Sequence, residues 1–188
     1  KPVADIQALY DFGQRDFGEN YVQELVEKRP LLPGDINWHF IGHLQSNKVK
    51  YIAPFVHLIH TVDSFRLIEE INRQGSKQNR VIDVLLQLYI ADEETKFGLD
   101  EKEVIALLNY YSAQKAQLNH VRICGLMGMA TNTGVETQVS AEFSKLYNFF
   151  VFLKDTTFFA EPYFSICSMG MSADHELAIA AGSNMVRI

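Results

Sequence analysis

An α/β barrel is the fold class this sequence predicts, and three observations carry that expectation. Short apolar runs of β type alternate with segments of helical period along the chain. Each run is too apolar to leave one face in water, which calls for a parallel sheet covered by helices. Seven runs can be counted, one short of a (β/α)8 TIM barrel, and the chain opens in what would be the first βα loop. The expectation is a single barrel domain over residues 1–188, with its first strand and last helix outside that span. A doubly wound open sheet is the alternative left standing.

Taken in order, residues 5–10 set Ile6, Leu9 and Tyr10 at helical spacing, with Pro2 ahead and Gly13 behind. The strand run 16–19 follows. Asn20 is then a candidate N-cap, with Gln23 three residues on, for a helix carrying Val22, Leu25 and Val26 on one face. The runs 37–41 and 56–62 come next, with no helix assigned between them. Residues 64–73 present Phe65, Leu67, Ile68 and Ile71 after Asp63, with Gly75 as the stop. After the run 81–90, residues 101–117 align Val104, Leu107, Leu108 and Tyr111, and Asp100 with Glu103 has capping-box spacing. The run 120–127 follows. Thr133 and Glu136 repeat the capping signal ahead of Val139, Phe143, Leu146, Tyr147, Phe150 and Leu153. The run 163–169 leads to a short helix opened by Ser172 and closed at Gly182, and the run 184–188 is last.

Composition narrows the function classes. With 47% apolar and 21% charged residues the chain is neither disordered nor collagen-like. Its length suffices to bury roughly 70% of the unfolded surface, so no disulfide or metal staple is needed. A formal charge of −6 argues against a duplex-DNA binder, which needs a clustered basic face. No apolar run approaches the ~18 residues that span a bilayer. Cys124 and Cys167 each sit in an apolar stretch and read as buried, reduced thiols of a cytoplasmic protein.

In either parallel architecture ligands bind at the carboxyl ends of the strands. There the sequence collects Gly18-Glu19-Asn20, Ile41-Gly42-His43, Gly125-Leu126-Met127-Gly128, Ser168-Met169-Gly170-Met171-Ser172 and Arg187-Ile188. Gly170 permits close backbone approach, and Ser172 is placed at a helix N-terminus, where free N–H groups favour an anion; a plain N-cap is the competing account. Arg187 lies in an apolar strand and shares the face of Met185. It is either half of a buried ion pair or a fixed donor aimed at a ligand. The histidines predict no metal site. His39 and His43 span a strand end and share no helical face, and His57 and His60 are an odd number apart on a strand, which sends them to opposite faces. HExxH, CxxC, Walker and GxGxxG patterns are absent, as is a nucleophile elbow. Residues 149–152, rich in Phe, read as packing a helix on the barrel.

Several segments together resemble the pyridoxal phosphate homeostasis protein family, also called the proline synthase co-transcribed homologue family. They are Phe17-Gly18-Glu19-Asn20-Tyr21-Val22-Gln23-Glu24, Trp38-His39-Phe40-Ile41-Gly42-His43-Leu44-Gln45-Ser46-Asn47-Lys48 and His60-Thr61-Val62-Asp63, then Gly125-Leu126-Met127, Met169-Gly170-Met171-Ser172 with Asp174, and Gly182 through Val186-Arg187-Ile188. They occur in the family's order over essentially the whole chain. The resemblance implies an alanine racemase N-terminal-domain-like barrel holding pyridoxal 5′-phosphate (PLP). It places Arg187 at the pyridine nitrogen, Ser172 and the backbone around Met171 at the phosphate, and Asn20 near the ring. Arg cannot hand over a proton, so the ring stays neutral and is a weaker electron sink.

The family's Schiff-base lysine belongs to a Ser-Lys-x-x-Pro pattern. Here Pro2 directly follows Lys1, so that lysine falls upstream of residue 1, and Lys1 does not replace it. The family's Gly-Thr after the last strand likewise falls beyond Ile188. Tyr89 and Asn184 stand where the family usually has Asn and Thr. The function implied is non-enzymatic PLP homeostasis, buffering or delivering the cofactor, with PLP-dependent apo-enzymes as partners and with neither nucleic acid nor membrane. The protein is expected to be a monomer. The alternative is a PLP-dependent amino-acid racemase of the barrel type, although the second domain that supplies the tyrosine base in two-base racemases has no counterpart here.

Overall fold

The computed structural model describes residues 1–91 and 98–188. One parallel sheet organises them. Its strands are β1 (Asp16–Glu19), β2 (Asn37–Phe40), β3 (Leu58–Val62), β4 (Ile82–Tyr89), β5 (Val121–Met129), β6 (Ile166–Met171) and β7 (Met185–Arg187). They pair side by side in chain order, every pair parallel. A doubly wound sheet reverses strand order at a switch point, and no reversal occurs here. The two terminal strands also line one cavity, with Asp16, Phe17 and Gly18 of β1 facing Met185, Val186 and Arg187 of β7. The sheet is therefore curled into a nearly closed barrel.

The helices are α1 (Val3–Asp11), α2 (Val22–Lys28), α3 (Val49–Ile52), α4 (Phe65–Lys77), α5 (Glu101–Ala113), α6 (Glu136–Asp155) and α7 (His175–Ala180). All seven strand runs read from the sequence are strands, with ends moved by a few residues. The Asp100–Glu103 capping box is present, the Asp100 carboxylate accepting from the Glu103 N–H and the Glu103 carboxylate accepting from the Asp100 N–H, both at 2.8 Å.

Several local signals were overridden. Gly75 does not stop α4, which continues to Lys77; it is buried within the helix, where a Cβ would come within 2.6 Å of the His120 carbonyl. Close approach, not termination, requires that glycine. The second capping box does not form: Val135 occupies the N-cap of α6, and Thr133 Oγ1 accepts only from the Val135 N–H at 3.3 Å. Asn20 does not cap α2, whose N-cap is Tyr21. The crossover between β2 and β3, to which the sequence reading assigns no helix, contains a 3-10 turn (Ser46–Lys48) and α3. At four residues α3 is too short for a periodic signal.

The core has two layers. Between sheet and helices lies the larger one, including Leu67, Ile68 and Ile71 of α4 and Phe143, Leu146 and Phe150 of α6. Phe164, ahead of β6, stacks on Phe158 with centroids 4.0 Å apart and on Phe150 at 5.3 Å, which fastens the entry of β6 to α6. The second layer is the barrel interior. A continuous register row, Gly18↔His39↔Leu58↔Asp83↔Arg122, identifies the inward positions. Around β4 and β5 the interior is apolar, with Leu58, Leu85, Cys124 and Met127 in contact. Arg122 grips Asp83 through two 2.7 Å hydrogen bonds near the N-terminal ends of those strands. Around β1, β2, β3 and β7 it is polar.

Candidate functional site

The polar half of the interior is a hydrogen-bonded chain built from four strands. His39 Nε2 meets Asp16 Oδ1 at 3.1 Å, His39 Nδ1 meets His60 Nε2 at 2.9 Å, and His60 Nδ1 lies 3.5 Å from Ser168 Oγ. His39, His60 and Ser168 are all buried. Burial lowers the pKa of His39 against the opposing pull of the Asp16 carboxylate, and burial lowers that of His60 further, helped by His39 and Arg187. A neutral imidazole has one donor and one acceptor nitrogen, so the two rings pass hydrogen bonds in a single direction along the chain.

Arg187 ends the strand that closes this half. Its Nε and Nη2 atoms are buried and have no hydrogen-bond partner. No carboxylate among the described residues pairs with it. Burial lowers its pKa from the usual guanidinium value, with Asp174 opposing at longer range; the group stays cationic all the same. Buried donors left unmade cost about 1–3 kcal/mol, more when charged. They line a cavity of about 350 Å³ shared with Gln14, Asp16, Gly18, His39 and His60.

The other residues expected at the site lie on the same rim but outside this cavity. Asn20 follows β1 and lines a second hollow with Tyr21, Phe40, His43 and Lys48. It is held there by Gly42, where any Cβ would come within 2.0 Å of the Asn20 carbonyl. Met171 ends β6, half-exposed, and Ser172 follows it, exposed, in a third hollow shared with Thr131, Asn132 and His175. Gly170 makes that turn with φ +99°, packed so closely on α7 that a Cβ would meet Ala178 at 2.6 Å. Ser172 is not the helix cap expected: α7 starts at His175, Asp174 is its N-cap, and the Asp174 carboxylate accepts from the Met171 N–H at 2.6 Å.

Two further readings change. Gly125 to Gly128 lie within β5, with Gly125 in register with Ile166, so this segment belongs to the sheet and not to the rim. His57 precedes β3, where strand alternation does not reach; its ring and that of His60 both flank His39, at 5.3 and 5.2 Å between centroids. The interior chain of Asp16, His39, His60 and Ser168 was not recognised as a unit in the sequence. Its signal was a polar residue at the inward alternation position of otherwise apolar runs.

Comparison with known proteins gives a consistent result. The alanine racemase N-terminal domain model matches residues 3–188. The pyridoxal phosphate homeostasis proteins of Escherichia coli K12 and Pasteurella multocida are 38% and 36% identical over all of this chain, which covers 79% of each. PipY of Synechococcus elongatus, solved without PLP, superposes with a TM-score of 0.89 at 34% identity, covering 99% of this chain and 85% of PipY. PipY solved with PLP bound superposes at 0.85, covering 99% and 84%. The curled parallel sheet and these relatives agree: the chain belongs to the alanine racemase N-terminal domain family and, within it, to the pyridoxal phosphate homeostasis proteins.

Proposed function

We propose that this protein binds PLP and serves PLP homeostasis, buffering or delivering the cofactor without catalytic turnover. The observation that carries the reading is the pair of unpartnered, buried guanidinium nitrogens of Arg187, open to a cavity between β1 and β7. Such donors require an acceptor, and a neutral pyridine nitrogen is one that needs no countercharge. Arg187 would donate to that nitrogen and keep its own proton. Ser172 and the Met171 backbone would hold the phosphate in the tight turn after β6, and Asn20 would lie beside the ring. Because the Met171 N–H is already engaged by Asp174, the Ser172 hydroxyl carries the larger share of the phosphate contact.

Bound PLP supplies an aldehyde that condenses with amines and a ring that withdraws electrons, weakly when its nitrogen is unprotonated. That weakness favours carriage over turnover. The homeostasis names of the relatives and the PLP-bound form of PipY support the same reading. It extends to a monomer in the cytoplasm that supplies PLP-dependent apo-enzymes and so acts on amino-acid metabolism. Two free, buried cysteines suit a reducing compartment, and no helix among the described residues is long and apolar enough to cross a membrane.

PLP titrated into the protein and followed by absorbance tests the proposal. Binding should saturate, and Ser172→Ala should weaken it by about 1–3 kcal/mol, the scale of a charge-assisted hydrogen bond. Exchange of the α-proton of added amino acids in deuterated water should stay far below about 1 per second. Absence of saturable binding would remove the proposal, and exchange at that rate would replace it with a racemase.

A further inference from the structure

Toward the N-terminal ends of β1, β2 and β3, on the side of the Arg187 cavity lined by Asp16 and His39, three ligating side chains from separate segments converge. Asp16 opens β1, His39 lies on β2 and His57 immediately precedes β3, yet one ligand atom from each lies within 4.8 Å of the other two. We propose that this cluster is a binding site for a divalent transition-metal ion of the zinc type.

The donor set fits that class: two imidazole nitrogens and a carboxylate oxygen are borderline ligands that zinc takes readily. The spacing fits too. Bonds of about 2.0–2.1 Å in a tetrahedral arrangement put neighbouring ligand atoms about 3.3 Å apart. His39 Nε2 and Asp16 Oδ1 are 3.1 Å apart, already at that separation. His57, exposed and outside the strand, brings a ring nitrogen within 4.8 Å of both.

The surroundings hold the central ligand in place. His39 Nδ1 is engaged by His60 Nε2 at 2.9 Å, so the ring is pinned with Nε2 directed at Asp16. A ligating histidine whose other nitrogen is held by a second group is the usual support of a metal site. Asp16 is oriented in turn by the Asn37 side-chain amide, which donates to Oδ1 at 3.1 Å. Asp16 and His57 are exposed, giving an ion a path from solvent and leaving room for a water as fourth ligand.

Ion binding would set the direction of the interior chain. With Nε2 on a metal, the His39 proton resides on Nδ1 and is donated to His60 Nε2. His60 then donates from Nδ1 to Ser168 Oγ. Rules that read spacing along one strand cannot see this site, because it is assembled across three segments.

The test is a calorimetric titration of Zn2+ into the protein in a non-coordinating buffer, repeated optically with Co2+. One equivalent should bind, giving the visible absorption of low-coordinate Co2+ and a rise in Tm. His57→Ala, a change at an exposed position outside the sheet, should weaken binding more than about 100-fold, beyond the 10–100-fold typical of losing a supporting residue. Asp16→Asn should act in the same direction. No binding by the unaltered protein would overturn the proposal, and so would an affinity unchanged in His57→Ala, which would locate the ion elsewhere.

Discussion

The two halves of the barrel interior are built on opposite principles. Around β4 and β5 the register runs unbroken in direction from Ile82↔Val121 to Tyr89↔Met129, with one shift after Val84, and the side chains between are apolar and in mutual contact. Around β1, β2 and β7 the ladders are short, β2 meeting β3 only at His39↔Leu58 and Phe40↔Ile59. The interior there holds Asp16, His39, His60 and Arg187 about a cavity. The first half is stable because burial and packing are complete. The second holds two buried guanidinium nitrogens of Arg187 with no partner among the described residues.

The sharpest break of this contrast is a cavity placed in the apolar half. Met127, fully buried against Leu85 and Cys124, should lose about 2–5 kcal/mol of stability as Met127→Ala. Chemical denaturation measures it. A loss below 1 kcal/mol would mean that the apolar half is not the structural half.

Arg187→Met should do the reverse on the polar side. Removing a buried, unpaired charge and filling its space should raise stability by about 1–3 kcal/mol, while PLP affinity falls tenfold or more, as expected when hydrogen bonds to a charged group are lost. Thermal unfolding and PLP titration of the same variant separate the two effects. A fall in stability would show that Arg187 is satisfied within the fold and that the two halves differ less than the geometry implies.

The smallest effect is on pH dependence. Burial pushes the thiols of Cys124 and Cys167 up to about 12. The native state therefore keeps its thiol protons while the unfolded chain releases them from about pH 8.5 upward. Stability should decline between about pH 8.5 and 12. Tyr111 and Tyr163, pushed up to about 12 by burial, join only above pH 10. Below pH 10 the decline belongs to the thiols, Cys124 in the apolar interior and Cys167 in the core between sheet and helices, and thiol reagents should react only on unfolding. Rapid labelling of the native protein near pH 8 would refute it.

How far the fold was legible follows from the physics of each signal. Burial on both faces makes parallel strands near-continuous apolar runs, and that is why each run read from the sequence is a strand. Asp100 and Glu103 cap α5 as their spacing requires, because a capping box is satisfied within four residues. Thr133 with Glu136, of the same spacing, fails because the loop delivers Val135 to the N-cap instead. Gly75 looked like a stop and is a contact with the His120 carbonyl, a residue 45 positions on that no local rule can see.

The site divides along the same line. Strand periodicity and the resemblance of its motifs placed Arg187, Asn20, Met171 and Ser172 at one rim, since strand ends and turns are encoded locally. Only the folded chain decided that two guanidinium nitrogens of Arg187 meet no partner among the described residues, that Asp174 rather than Ser172 caps α7, and that Asp16, His39 and His57 bring ligand atoms within 4.8 Å of one another. Secondary structure depends on neighbours a few residues away, whereas satisfaction of a buried polar atom depends on whatever the closed sheet brings beside it. A sequence therefore specifies its strands and turns by pattern, and specifies its polar interior only through the barrel those strands build.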